Sequence, residues 1–242
     1  MTQPEKSKFG EQAINKIAEV ALASQLKQVE KLAVQLKTDL SKLAHGEVDS
    51  ININMNGLLM QSNLIAEELQ LQINRVIVKP FSAILGKIKL TQPCTGTIRV
   101  VFNEDNLTRA FNWESFRANL PQGKQVKIYL QQINCHLQAD GNIAFQLNLI
   151  LTDTGLAQSV AFTTVPRIGN DGREILLQDV HYLNSEELAP ELIATLIAQV
   201  GEFLSLRMFE QKGMSLQFQQ LDVTAGKLTI QAAARIEQFP SS

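Results

Sequence analysis

Three histidines (His45, His136, His181), two cysteines (Cys94, Cys135) and adjacent acids such as Glu67-Glu68 and Glu186-Glu187 are the side chains that could carry acid–base, nucleophilic or metal chemistry here. A metal site is signalled by ligands at set spacings, such as HxxxH or CxxC, and none of these residues has such a partner in sequence. His136 follows Cys135 directly, and on a strand neighbouring side chains point to opposite faces, so the two make a poor nucleophile–base pair. The chain contains no GxSxG elbow and no GxGxxG turn, and no Gly-Lys pair completes a phosphate loop. Acids adjacent in sequence are solvated charges on helices or turns rather than a catalytic dyad. The expectation is a protein that is not an enzyme, with no catalytic residue, metal or cofactor.

Charge is distributed more informatively than chemistry. From Leu69 to Asn103 there is no Asp or Glu, while Arg75, Lys79, Lys87, Lys89 and Arg99 all fall there. Inside this run sits the apolar knot Phe81-Ser82-Ala83-Ile84-Leu85. Lysines flanking exposed apolar side chains are what an interfacial anchor requires, the ammonium groups meeting anionic lipid while the apolar groups enter the headgroup boundary. The same residues also suit a crossover whose Phe81 and Leu85 plug the core. Both readings stand at this point, and the membrane-contact candidates are Lys79, Phe81, Ile84, Leu85, Lys87 and Lys89.

The whole chain has 242 residues, a net charge of −2, 45% hydrophobic and 19% charged residues. That balance suits one folded unit with a sizeable core and lacks the basic excess of a nucleic-acid binder, so no nucleic-acid partner is expected. Trp113 and Phe116 beside Arg109 and Arg117 fit a helix packing its aromatics inward better than a base-stacking platform. No apolar window reaches the length that spans a bilayer and the N-terminus carries no signal-peptide core, so a cytoplasmic location with at most peripheral membrane contact is expected. Two widely separated cysteines read as buried thiols in a reducing compartment.

Residues 1–9 are expected to be a disordered tail and 10–240 a single domain. Gly10 to about Gln28 reads as an amphipathic helix. The spacing of Leu26, Val29, Ala33, Leu36, Leu40 and Leu43 would let it run on, but the alternation of Leu32, Val34 and Leu36 favours a strand from about Glu30 to Thr38, then a short helical turn through Leu40 and Leu43 ending near Gly46. Alternating apolar residues then mark strand after strand, the longest being Ile143, Phe145, Leu147, Leu149 and Leu151. Hairpin turns are expected at Asp140-Gly141, across "GNDGRE" and at Ala225-Gly226, which makes the sheet antiparallel. Two helical segments interrupt the strands: "NEDNLTRAFNWESFRANLP", capped by Asn103 and stopped by Pro121, and "APELIATLIAQVGEFLSLRMFEQKG", with Pro190 in its first turn. Runs of hairpins plus helices, without βαβ alternation, give an α+β fold. The outward strand positions are rich in neutral amides, among them Gln70, Gln72, Asn74, Gln146 and Asn148. Such faces lack the charges that usually guard a sheet edge, leaving self-association to a homo-oligomer open.

The segments "GKIKLTQPCTGTIRVVFNEDNLTRAFN", "AFTTVPRI", "LAPELIATLI" and "FEQKGMSLQFQQLDVTAGKLTIQAAARIEQFP" resemble the LmeA-like phospholipid-binding family, especially its cyanobacterial branch. The resemblance extends from about Gly10 to Pro240. It implies a long curved antiparallel sheet wrapped around amphipathic helices, similar to the tubular lipid-binding (TULIP-like) proteins. It also implies a non-enzymatic phospholipid or acyl-chain binder, peripheral to an anionic membrane surface. The candidate lipid-lining residues are Phe145, Leu147, Leu149, Leu192, Leu196 and Phe203. The alternative is a scaffold or assembly protein that binds other proteins through a sheet edge and the basic loop.

Overall fold

The computed structural model describes residues 4–60, 63–78, 90–118, 128–151, 154–183, 190–206 and 213–237. In chain order these form α1 (Pro4–Ala23), β1 (Lys31–Lys37), α2 (Leu40–Ala44), β2 (Glu47–Leu59), β3 (Ile65–Ile77), β4 (Cys94–Asn103), α3 (Glu104–Phe111) and α4 (Glu114–Ala118). They continue with β5 (Ile128–Leu137), β6 (Ile143–Leu151), β7 (Ala157–Ile168), β8 (Ile175–Tyr182), α5 (Pro190–Leu204), β9 (Met214–Thr224) and β10 (Lys227–Ile236). The fold is α+β, with every named strand pairing antiparallel.

One long sheet was the expectation; two open sheets are observed. Six strands lie in the order β1-β2-β3-β4-β10-β9, and four in the order β5-β6-β7-β8. Among the named strands, consecutive ones fail to pair at two places, between β4 and β5, where α3 and α4 intervene, and between β8 and β9, where α5 does. Those are the places where one sheet stops and the other begins. β10 then closes onto β4 from the far end of the sequence, through ten residue pairs from Lys227↔Asn103 to Ile236↔Cys94. All three expected hairpins form, with Gly141 and Gly226 at φ +92° and +76°, a backbone region that glycine enters without a Cβ clash.

The sheets are tied to each other by their turns. Gly226, in the β9–β10 turn, donates its N–H to the Leu137 carbonyl at the end of β5 (2.9 Å). Gly172, in the β7–β8 turn, accepts the Phe218 N–H on the β9 edge (2.7 Å). Between them lies one apolar core to which both sheets contribute, including Phe102, Phe145, Phe162, Leu228 and Ile230. A smaller cluster of Val48, Ile73, Val76, Cys94 and Ile236 fills the far end of the six-stranded sheet.

Helices α1, α3 and α5 each lie against an edge strand, and α3 and α5 also turn residues such as Leu107, Phe111, Leu196 and Val200 into the core that both sheets share. An edge strand presents backbone N–H groups with no partner, and here helix side chains supply the acceptors. On α1, Asn15 Oδ1 accepts the Leu36 N–H (2.9 Å) and Glu19 Oε1 accepts the Val34 N–H (3.2 Å), both on β1. From Glu104 onward, the residues at four-residue intervals serve β5. Glu104 Oε2 accepts the Leu137 N–H (2.8 Å), Thr108 Oγ1 the Cys135 N–H (3.0 Å) and Asn112 Oδ1 the Ile133 N–H (2.9 Å). Four helical residues rise about 6 Å and two strand residues about 6.8 Å, so the two ladders stay in step for two or three rungs. α5 meets β8 similarly: Ser205 Oγ accepts the Ile175 N–H (2.8 Å), while a Cβ on Gly201 would stand 2.5 Å from the Ile175 carbonyl oxygen.

The ladder also explains where the first helical segment breaks. Asn103 caps α3 as expected, its Oδ1 accepting the Asn106 N–H (2.9 Å). The helix then ends at Phe111 instead of running toward Pro121, because the Asn112 side chain also donates to the Thr108 and Ile133 carbonyls. Pro121 itself lies outside the described residues. α1 begins at Pro4, ahead of the expected start at Gly10, and ends at Ala23.

Candidate functional site

The six membrane-contact candidates, Lys79, Phe81, Ile84, Leu85, Lys87 and Lys89, lie outside the described residues. Their flanks are described. Val78 and Leu90 pair as an antiparallel bridge, Thr91 donates its N–H to the Ile77 carbonyl (2.9 Å), and Val78 donates to the Gly46 carbonyl (2.9 Å). Val78 and Leu90 therefore stand side by side where β3 leaves and β4 approaches the six-stranded sheet. Two of the five basic residues in the acid-free run are neutralised across strands. Arg75 pairs with Glu47 of β2 (3.4 Å) and Arg99 with Glu68 of β3 (2.8 Å). A run without acids in sequence is thus not a run without acids in space.

The lipid-lining candidates are brought together, but as tightly packed core. Phe145, Leu147 and Leu149 are each 1% exposed and Leu196 is 2% exposed. Phe145 stacks on Phe162 (5.4 Å between ring centres) and meets Phe111 (5.9 Å). Half-buried Phe203 closes on Phe111 and Phe116, each at 5.6 Å. The Leu192 side chain lies outside the described residues. Phe116 turns inward as expected, whereas Trp113 is half exposed.

Neither thiol is poised for chemistry. Burial pushes the Cys135 thiol far up, and the nearby Glu104 carboxylate pushes in the same direction; burial also raises Cys94. The two sit in different clusters and both are free. His136 points away from Cys135 and approaches Glu104 at 3.3 Å. Among the described residues no group of three His, Cys, Asp or Glu could hold a metal ion.

Two surfaces that alternation alone did not single out emerge on β1–β3. On the apolar face of the six-stranded sheet, Leu32 and Leu36 of β1, Ile51 and Ile53 of β2, and Leu71 of β3 are only half buried. They adjoin fully buried Val34, Met55, Leu69 and Ile73, so an incompletely covered aliphatic wall runs into the solid core. On the opposite face lies a groove of about 440 Å³ whose lining is mostly polar, Gln35, Asn52, Asn54, Gln70, Gln72 and Gln231 among them, with Arg99 and the strand residues Leu71, Ile98 and Ala232 also contributing. The signal for the groove was the amide-rich outward face; register was needed to see that the amides fall into two rows crossing the strands.

No helix among the described residues is long and apolar enough to cross a membrane. Comparison with curated proteins and with solved structures finds no match. A family model does match, over residues 6–233, nearly the whole chain and both sheets: the protein belongs to the LmeA-like phospholipid-binding family.

Proposed function

We propose that the protein binds a phospholipid reversibly and without chemical conversion, laying an acyl chain along the half-buried aliphatic wall of β1–β3. That wall is the observation that carries the reading: Leu32, Leu36, Ile51, Ile53 and Leu71 leave apolar surface in water on a face otherwise given over to core. Family membership supplies the ligand class. Hydrocarbon burial is worth about 0.8 kcal/mol per CH₂, so a sixteen-carbon chain gains about 12 kcal/mol gross, reduced by ordering and desolvation. Phe145, Leu147, Leu149, Leu192, Leu196 and Phe203 belong to this proposal as the apolar mass that the wall leads into. A chain reaching them must part the contacts of Phe145 with Phe111 and Phe162.

The segment from Lys79 to Lys89 is proposed as the membrane contact, with Phe81, Ile84 and Leu85 entering the headgroup boundary and Lys79, Lys87 and Lys89 meeting anionic lipid. Pairing of Val78 with Leu90 supports this, because it lets the segment reach a surface without loosening the sheet. A scaffold role through a bare sheet edge is the weaker reading, since two N–H groups of β1, three of β5 and one each of β8 and β9 already have acceptors outside their sheet.

The test is retention. Protein incubated with phospholipid vesicles, re-isolated and analysed by mass spectrometry should carry phospholipid, and Ile53→Gln with Leu71→Gln should carry far less while folding normally. Wild-type protein that re-isolates free of lipid overturns the reading. Phe81→Asp with Leu85→Asp should abolish flotation with anionic vesicles, and unfolding of that double variant would instead assign the segment to the core.

A further inference from the structure

The amide side chains of the groove project from the face of the sheet opposite the aliphatic wall, so a ligand held by them does not depend on the acyl-chain reading. Register places its side chains in two neighbouring rows. Asn54, Gln70, Arg99 and Gln231 follow one another across β2, β3, β4 and β10, with Asn52, Gln72 and Thr97 in the next row. Charge on these rows is limited to Arg99, paired with Glu68 of β3, while Lys37 and Arg235 stand at strand ends. Among the described residues the side-chain amides of Gln35, Asn52, Asn54, Gln72 and Gln231 make no hydrogen bond to protein. Their donors and acceptors are therefore free to meet something else.

We propose that this groove is a binding site for an uncharged polyhydroxyl ligand, a sugar or polyol. A hydroxyl both donates and accepts, and an amide offers two donors and an acceptor in one flat group, so the two match without a charge on either side. The groove's single cation, Arg99, is already held by Glu68 at 2.8 Å. The site is close to neutral and does not select phosphate or carboxylate. An apolar occupant would strip water from the amides and give nothing back. The volume of about 440 Å³ falls within the range of small-molecule sites. Groups spaced about 4.8 Å across strands and about 6.8 Å along them let one ring engage several amides at once.

The experiment follows side-chain NH₂ resonances of isotope-labelled protein titrated with myo-inositol, methyl glycosides and inorganic phosphate. The same resonances are followed with phosphatidylcholine vesicles that contain or lack a neutral glycolipid. Shifts confined to the groove amides are expected with one or more polyols, and Asn54→Leu with Gln72→Met, both exposed positions, should weaken binding about tenfold or more. Shifts with free polyols assign the site to soluble ligands; shifts only with glycolipid vesicles assign it to a lipid headgroup. Either outcome supports the proposal. Shifts with inorganic phosphate or plain phosphatidylcholine in place of polyols overturn it, as does silence with every probe. Phospholipid retention by the double variant should match wild type, which separates failure here from failure of the acyl-chain reading.

Discussion

Substituting Thr108 by valine tests whether α3 truly substitutes for a missing strand along β5. The two side chains are close in shape and both branched at Cβ, so packing and helix propensity change little. What disappears is the hydroxyl that accepts the Cys135 N–H at 3.0 Å. Cys135 is 2% exposed, so its N–H loses its protein acceptor in a place water reaches poorly. An unsatisfied buried donor costs about 1–3 kcal/mol. In a chain of this size each kcal/mol moves the melting temperature by about 2–4 °C, so Thr108→Val should melt about 2–12 °C lower. Thr108→Ser, which keeps the hydroxyl, should stay near wild type. Calorimetry reads the global effect, and amide hydrogen exchange reads the local one, with faster exchange at Cys135 ahead of the centre of β6. If Thr108→Val melts with wild type and Cys135 exchanges no faster, the strand edge was never dependent on the helix.

Asn112→Ala should destabilise more than Thr108→Val, because it removes the acceptor for the Ile133 N–H and the donor to the Ile133 and Thr108 carbonyls; urea titration compares them. Gly201→Ala should lower the urea midpoint by about 1–3 kcal/mol equivalent, since the new methyl has to move α5 away from the Ile175 carbonyl, and an unchanged midpoint would show that helix and strand part freely. Cys94 and Cys135 should resist a thiol reagent in the folded protein at neutral pH and react only after denaturation. Lys16 and the Val34 N–H hold the Glu19 carboxyl below its ordinary value. That pKa is lower folded than unfolded, so the support it gives α1 is complete above the unfolded value and is lost as pH falls through the folded one. The Val34 amide resonance should titrate in that acid range and stop doing so in Glu19→Gln.

The candidate surfaces differed in how far a linear reading could reach them. Leu71 and Ile98 announce apolar strand positions through their neighbours' alternation, and the Asp140-Gly141 and Ala225-Gly226 turns announce themselves by residue type. The run from Leu69 to Asn103 misled about charge because Glu47 and Glu68, which neutralise Arg75 and Arg99, stand on neighbouring strands. Phe145, Leu147 and Leu149 were recognisable as inward-facing. Whether they bounded space or filled it depended on Phe111 and Phe162, which arrive from α3 and β7.

By itself the sequence determined the α+β class, the antiparallel hairpins, the Asn103 cap, and which side of each strand is apolar. These follow from periodicity and local geometry, which act over a few residues. Only the tertiary structure decided that the strands divide into two sheets, that β10 closes onto β4, and that helix side chains satisfy the N–H groups of edge strands. It alone decided that the aliphatic wall and the amide groove occupy opposite faces of one sheet. Those outcomes depend on pairings between distant parts of the chain, such as Lys227 with Asn103. Each is chosen by the summed burial and hydrogen bonding of the whole fold, a quantity no short window contains.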